Sequence, residues 1–508
     1  MDQIGPIELN PGSQTPLYQQ LFDVIASLIG KGALADGHRL PPTRALAERL
    51  GAHRNTVVRA YRELEEAGFV VSTVGRGTFV QRPEGGVQLP AATADGAPAA
   101  SGIAWGSLMS RASGAEPLRR AERFAREVPA RVAIHLSRMQ PSDDLLPDQL
   151  FRRCLDHVLA TCGPKALGYA PRAGVARLRE QVAADLVHQG VSTTPEDVLI
   201  TSGSQQALDL LARVLVNPGD ALIVNTATFT GALSAFTAAG ARLVTVPSDD
   251  EGPDLSALER VSRVGAKALY LMPGCQNPTG HSISVQRRKG IVEWSRRSGV
   301  PIIEDDYLSD LHLDGEAPPP LRGFDGDVIY VGTYSKKLIP TLRVGYVVAP
   351  RVLRQRLEPL KQASDLGNAL MQYALAEFLE RGYLRAHLAR TIPEYRKRRD
   401  ALEQSLRAHL PEGIDFRRPS SGLILWVPLP EGVDPHAVFE AARDEGVLVM
   451  PSTMNRAGDV LEAGIRLTFC AESAERLADG AERFARALTR VLGAHPGESR
   501  QLDAAEVI

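Results

Sequence analysis

The chain has 508 residues, 44% hydrophobic and 23% charged, a length for two or three domains and a composition that excludes fibres and wholesale disorder. Lys and Arg number 58 against 60 Asp and Glu, so overall charge points to no polyanionic partner and any nucleic-acid site must be local. Four cysteines (Cys154, Cys162, Cys275, Cys470) form no C-x-x-C pair and no metal-ligand spacing, which fits reduced thiols in a cytoplasmic protein with no metal; the start lacks a signal-peptide pattern and no apolar run is long enough for a membrane span.

In chain order, Leu17, Leu21, Val24, Ile25, Leu28 and Ile29 recur at helical spacing and predict a first helix. Pro41-Pro42-Thr43 punctuates the chain before a short helix, Arg44 to Leu50, that ends at Gly51. A third helix is expected from about Arg54 to Gly68, with Val57, Val58, Tyr61 and Leu64 on its buried side. FVVSTVGRGTFV then reads as a hairpin around Gly75-Arg76-Gly77. Two short helices and a hairpin make the pattern of a winged helix-turn-helix. Its second helix opens on His53-Arg54-Asn55-Thr56, donors suited to base edges and phosphates, and Arg59 and Arg62 extend that basic face.

Residues 83–104 are rich in Ala, Gly and Pro, with only Glu84 and Asp95 charged, and are expected to be a flexible linker. Beyond them, apolar runs at 221–224, 241–246, 267–272, 301–304, 328–332 and 344–349 alternate with helical stretches, which predicts an α/β domain with a mostly parallel sheet. A helical region over about 351–408 precedes expected strands near 414–418, 423–427, 446–450 and 465–469, a smaller α+β subdomain.

Four motifs in the α/β part carry chemistry. GTYSKKLIPTLRVGY (332–346) offers Lys336 as a Schiff-base lysine, with Thr333, Ser335 and Arg343 for a phosphate. IIEDDY (302–307) ends a buried strand in Asp305, a carboxylate partner for a protonated ring nitrogen, and Tyr307, a donor to a ring oxygen. CQNPTG (275–280) places Asn277 for the same ring oxygen, and TSGSQQALDLL (201–211) presents Ser204 and Gln205 to a phosphate at a helix start. Together they fit a pocket for pyridoxal 5'-phosphate (PLP).

Residues 16–80 closely resemble the DNA-binding domain of GntR-superfamily regulators, which puts Arg44, Arg54, Asn55 and Thr56 at the DNA and Gly75 at the wing tip. His53 stands where relatives usually have Ser or Thr as the helix N-cap, to cap the helix less well or touch a phosphate. Residues 130 to about 490 resemble fold-type I aminotransferases. The resemblance implies that Tyr169 reaches the phosphate of a partner subunit and that Arg466 grips a ligand carboxylate. In NTATFTG (225–231), Phe229 replaces the usual Tyr that stacks on the cofactor, and Asn225 and Ala227 replace an acid and a proline. Stacking survives that change; a hydroxyl near the reacting imine does not.

The whole chain resembles MocR-type regulators. The implied organisation is a GntR-type winged helix over 1–82, a linker over 83–105, an aminotransferase-like PLP domain over 106–495 and a tail over 496–508. The resemblance further implies a head-to-tail homodimer on double-stranded operator DNA with two half-sites. An amino-compound effector would form an external aldimine with PLP and change operator binding. Two other readings stay open on these residues: a regulator that senses PLP itself, and an active aminotransferase with an accessory N-terminal module.

Overall fold

The computed structural model describes residues 7, 9–10, 15–30, 33–73, 77–81, 108–128, 134–308, 310–458 and 463–494. Two compact units divide the chain, Met1–Ser110 and Arg111–Ile508. The expected linker over 83–105 and tail over 496–508 lie outside the described residues.

The first unit contains α1 (Leu17–Gly30), α2 (Thr43–Arg49) and α3 (Arg54–Glu66), then β1 (Val70–Thr73) and β2 (Gly77–Val80). Its core gathers Leu21, Ile25 and Ile29 from α1, Leu46 from α2, Val57, Tyr61 and Leu64 from α3, and Val70 and Val80 from the strands. Val58, expected on the buried side, is 42% exposed. It lies about 100° around the helix from Val57, and Ala60 takes the core position instead. The Tyr61 hydroxyl donates to the Pro41 carbonyl at 2.9 Å, tying α3 to the proline pair ahead of α2. Gly51 turns the chain between α2 and α3 with a φ of 59°, a left-handed conformation that suits glycine. β1 and β2 pair antiparallel with Val70 opposite Val80 and Thr73 opposite Gly77; the tip, with Gly75, lies outside the described residues.

The second unit is built on seven strands: β3 (Val198–Thr201), β4 (Ala221–Asn225), β5 (Arg242–Val246), β6 (Leu269–Leu271), β7 (Ile302–Asp306), β8 (Ile329–Thr333) and β9 (Gly345–Val348). Their spatial order is β3-β9-β8-β7-β6-β4-β5, and β9 alone runs antiparallel to its neighbours. Helices cover both faces, so successive residues of one strand enter different cores: Leu199 packs on one side of β3, Val198 and Ile200 on the other. This is the expected mostly parallel sheet.

The helical region over 351–408 is three helices, Arg351–Ser364, Ala369–Glu380 and Tyr383–His409. Gly367 and Gly382, at φ of 80° and 70°, lie in the two breaks. A smaller layer follows: β10 (Ile424–Pro428), β11 (Met450–Pro451) and β12 (Gly464–Thr468), antiparallel in the order β10-β12-β11. The strand expected near 414–418 does not form. Arg417 and Arg418 there are exposed, and Arg418 pairs with Asp400 at 2.9 Å, so the apolar face begun by Ile414 and Phe416 does not continue. The stretch near 446–450 holds a two-residue strand, Val447–Leu448, beside Ile134–His135, and then β11.

Candidate cofactor cavity and recognition helix

The carboxyl ends of β3, β7 and β8 open on a cavity of about 600 Å³, the place where α/β sheets build sites. Alternation along β7 decides which of its three consecutive acids enters. Glu304 and Asp306 share one face: Glu304 accepts the backbone N–H groups of Leu321 and Arg322 at 2.8 and 2.9 Å, and Asp306 accepts the Tyr330 hydroxyl at 2.8 Å. Asp305 points the other way and lines the cavity. Its Oδ2 accepts the Tyr270 hydroxyl at 2.7 Å, and its Oδ1 has no hydrogen-bond partner among the described residues. Burial pushes the Asp305 carboxyl up to about 7, with the Tyr270 hydrogen bond opposing and Asp306 adding to the rise.

The two lysines after β8 divide in the same manner. Lys336 lines the cavity and its Nζ donates to the Met139 carbonyl at 2.8 Å. Burial holds its ammonium below the ordinary lysine range; Cys470 opposes that, and Arg466 and Arg343 add to it. Lys337 is buried on the far side, paired with Asp310 and placed 4.8 Å from the centre of the Tyr334 ring.

Ser204 and Gln205 open the helix Ser204–Leu215, whose start carries no side-chain cap, so its backbone donors are open to an anion. Gly203 precedes it at a φ of 84°, and a Cβ there would come within 3.3 Å of Arg343 Nη2. Arg343, itself at a φ of 49°, sends Nη2 to the Ser202 carbonyl at 3.2 Å, and so lies across the helix start. Thr333 and Ser335 line the same end. The Thr333 hydroxyl donates to Val344, while the buried Ser335 Oγ has no partner among the described residues.

Phe229 lines the cavity, half-buried. A Cβ on Gly231 would fall 2.2 Å from Gln205 Oε1 and 2.5 Å from the Phe229 ring, so glycine there is what lets both side chains close in. Gln205 Nε2 donates to the Gly231 carbonyl at 2.9 Å. Asn225 lies elsewhere, donating to Ser248 Oγ at 3.0 Å. Arg466 on β12 reaches the cavity from the smaller layer: Nη1 donates to Asn277 Oδ1 at 3.0 Å, Nη2 to the Ser137 carbonyl at 2.9 Å, and Nε is buried without a partner among the described residues. The first of these bonds orients the Asn277 amide and leaves its NH₂ group as a donor. The Tyr307 hydroxyl makes only a long contact, 3.7 Å, to the Cys275 thiol. Tyr169 is 95% exposed and is not among the cavity's lining residues.

Sequence reasoning missed Tyr270, Ser137, Met139, Met450, Met454 and Asn455. Tyr270 carried a usable signal: in parallel register it sits opposite Ile303, two residues before Asp305, a hydroxyl in an otherwise apolar strand. The others come from loops and a short strand remote in sequence.

In the first unit, Arg54 and Asn55 are exposed at the start of α3, Thr56 is half-buried, and Arg44 is exposed on α2. His53 does cap α3: its Nδ1 accepts the Asn55 backbone N–H at 3.2 Å. Arg59 is held within the domain, its guanidinium 3.6 Å from the centre of the Tyr18 ring and 3.1 Å from Glu63. Among the described residues, no helix is long and apolar enough to cross a membrane and no His/Cys/Asp/Glu group is arranged to hold a metal.

Residues 136–484 match the family described as aminotransferase class I and II, and residues 17–80 match bacterial regulatory proteins of the gntR family. The probable rhizopine catabolism regulatory protein MocR of Rhizobium meliloti is 31% identical over 451 residues, 87% of this chain and 88% of that protein. The uncharacterised HTH-type transcriptional regulator YisV of Bacillus subtilis is 31% identical, covering 94% of this chain and 97% of that one. Among solved structures, the α-aminoadipate aminotransferase LysN of Thermus thermophilus, complexed with N-(5'-phosphopyridoxyl)-L-leucine, aligns with a TM-score of 0.71 at 31% identity over 77% of this chain and all of that one. The chain therefore belongs to the class I and II aminotransferase family and, with a gntR-family domain ahead of that fold, has the MocR-type architecture.

Proposed function

We propose that this chain is a transcriptional regulator that binds operator DNA through its gntR-type domain and uses PLP to sense an amino compound. The reading rests on one cavity that gathers a half-buried lysine, Lys336, a carboxyl oxygen without a partner among the described residues, Asp305 Oδ1, and an arginine, Arg466. Those residues fit PLP. The orphan oxygen of Asp305 awaits a donor such as a protonated ring nitrogen, and the uncapped helix start under Arg343 suits a phosphate. The phosphopyridoxyl group in the LysN complex supports the same assignment.

When bound, PLP supplies an electrophilic carbon to primary amines and a ring that withdraws electrons. Lys336 presents the amine, and its burial favours the neutral, nucleophilic form. Asp305 would hold positive charge on the ring nitrogen. The Asn277 NH₂ and the Tyr307 hydroxyl, which makes only a long contact to Cys275, would be the donors to the ring oxygen. Ser204, Gln205, Thr333, Ser335 and Arg343 would hold the phosphate, and Phe229 would cover a ring face. Arg466 holds the effector's carboxylate in a bidentate, permanently charged grip.

Lys336 hangs from the large sheet and Arg466 from the smaller layer, so a ligand held at both ends favours one closure of these parts over another. Regulation needs that differential affinity, since equal binding to both states shifts nothing. Tyr169, exposed and away from its own cavity, fits a role in the site of a second copy, and a homodimer matches an operator of two half-sites. Transamination is the alternative that the same residues support; Phe229 in place of tyrosine removes a hydroxyl from the reacting atoms and favours sensing.

The test is fluorescence anisotropy of the PLP-loaded protein on DNA upstream of its own gene, with and without amino acids. Competitor-resistant binding that shifts on adding an amino acid is the expected result. A shift on adding PLP alone assigns the signal to the cofactor. No specific binding, together with conversion of amino acids to keto acids, replaces the regulator with the fused enzyme. Lys336→Ala is expected to abolish borohydride-fixed cofactor while leaving basal DNA affinity unchanged.

A further inference from the structure

Four of the chain's seven methionines, Met139, Met272, Met450 and Met454, line this one cavity. Met272 follows β6, beside Asp305 in the sheet, at the cofactor's end. The other three line the same cavity as Lys336 and Arg466. Met139 accepts the Lys336 ammonium on its carbonyl, and Met450 is the direct cross-strand partner of Arg466, on the same sheet face. The Met454 carbonyl accepts the Thr230 hydroxyl at 3.0 Å, next to Phe229. Phe124, from the helix Glu116–Glu127, adds an aromatic wall.

The charges are equally informative. Only Asp305, Lys336, Arg343 and Arg466 are charged among the described lining residues. With Asp305, Lys336 and Arg343 committed to the cofactor, a single cation remains for the ligand. Arg466 still has its buried Nε without a partner among the described residues. Asn455, 2% exposed, donates one NH₂ hydrogen to the Thr228 carbonyl at 3.0 Å, and its Oδ1, without a partner among the described residues, is an acceptor that repels a second carboxylate.

We infer that the effector is an α-amino acid with one carboxylate and a sizeable apolar side chain, which lies among Met139, Met450, Met454 and Phe124. The inference rests on the PLP reading above and narrows its ligand. Thioethers are soft and unbranched, so the subsite accepts several shapes, linear, branched or aromatic, rather than one. It disfavours a side-chain charge, because none of its described lining residues is left to pair with one.

The experiment uses the full-length PLP-loaded protein. Borohydride reduction and peptide mapping first establish attachment to Lys336. The native protein is then titrated with L-leucine, L-methionine, L-phenylalanine, L-glutamate, L-aspartate, L-lysine and 3-methylbutylamine, leucine's counterpart without a carboxylate. Binding is followed by the cofactor's absorbance and by the thermal midpoint. The three apolar amino acids are expected to bind roughly tenfold or more tighter than the charged ones and the amine. Tighter binding of glutamate, aspartate or lysine overturns the inference, and so does an amine that matches leucine. Attachment at Lys336 with no response to any compound overturns it while leaving the cofactor assignment standing; absence of attachment removes both.

Discussion

At the scale of single residues, adjacent side chains with similar chemistry have opposite fates, and alternation decides between them. Asp305 faces the cavity while Glu304 and Asp306 face the other way. Burial raises all three, to about 7, about 7 and about 6 for Asp305, Glu304 and Asp306. In the unfolded chain these groups titrate near 4. Between about pH 4 and 7 the folded protein therefore binds more protons than the unfolded one, and their contribution to stability falls as pH rises through that window. His387, held near 4 by burial, contributes with the opposite sign, so the test is a difference. The cofactor-free native protein should lose stability relative to Asp305→Asn as pH goes from 5 to 7.5, read as thermal midpoints. A gap between the two that stays constant with pH removes Asp305 from the buried titrating set. On the DNA side, Arg54 is exposed at the start of α3. Arg54→Ala should weaken specific operator binding by roughly 1–3 kcal/mol if the guanidinium reads a base. Equal affinity across operator variants would place Arg54 off the interface.

At the scale of elements, the loop that carries Lys336 is anchored by its neighbour. Lys337 pairs with Asp310, Asp310 also accepts Gln189 Nε2 at 2.9 Å, and the Tyr334 ring lies 4.8 Å from the Lys337 ammonium. The pair thus joins the loop after β8, the loop after β7 and the chain after the helix Ala176–His188. Breaking a buried pair from one side leaves an uncompensated charge, at a cost of about 3–5 kcal/mol. Lys337→Met should lower the urea midpoint of this unit accordingly, and Lys337→Met with Asp310→Leu should recover much of the loss. A double variant no better than the single one would mean that the pair contributes packing alone. A pair of lysines in a row reads from sequence as a solvated patch, and its partner lies 27 residues away, so this anchor was not legible. What was legible had local periodicity: the three helices of the first unit and the main strands. Val58 was misplaced because adjacent β-branched residues share a helix but not a face, and 414–418 because exposed arginines sit where a strand would need apolar contact. The motif residues Lys336, Asp305, Asn277, Arg343 and Arg466 meet in one cavity because the glycine turns and strand ends that carry them have sequence signatures. The methionine lining has none, since Met139, Met272 and the β11 segment with Met450 and Met454 are remote from one another in sequence.

At the scale of the whole molecule, the issue is whether one chain completes its own site. Tyr169 bears on it directly. A large aromatic residue that is 95% exposed gains nothing from solvent, and in its own chain it stands apart from the cavity that the other candidate residues line. If its hydroxyl serves the phosphate of a second copy, each site takes Lys336 from one chain and Tyr169 from the other. Tyr169→Ala alone then weakens PLP binding at every site, and Lys336→Ala alone abolishes covalent attachment at every site. Unfolding and refolding the two variants together produces mixed dimers in which one site carries both substitutions and the other carries neither. Native-affinity covalent attachment should therefore return, at one site per mixed dimer, read by borohydride fixation and by the mass of the labelled chain. Only the Tyr169→Ala chain, which keeps Lys336, should be labelled. No recovery on mixing, with dimers present, would confine Tyr169 to its own chain, and each site would then assemble without a partner.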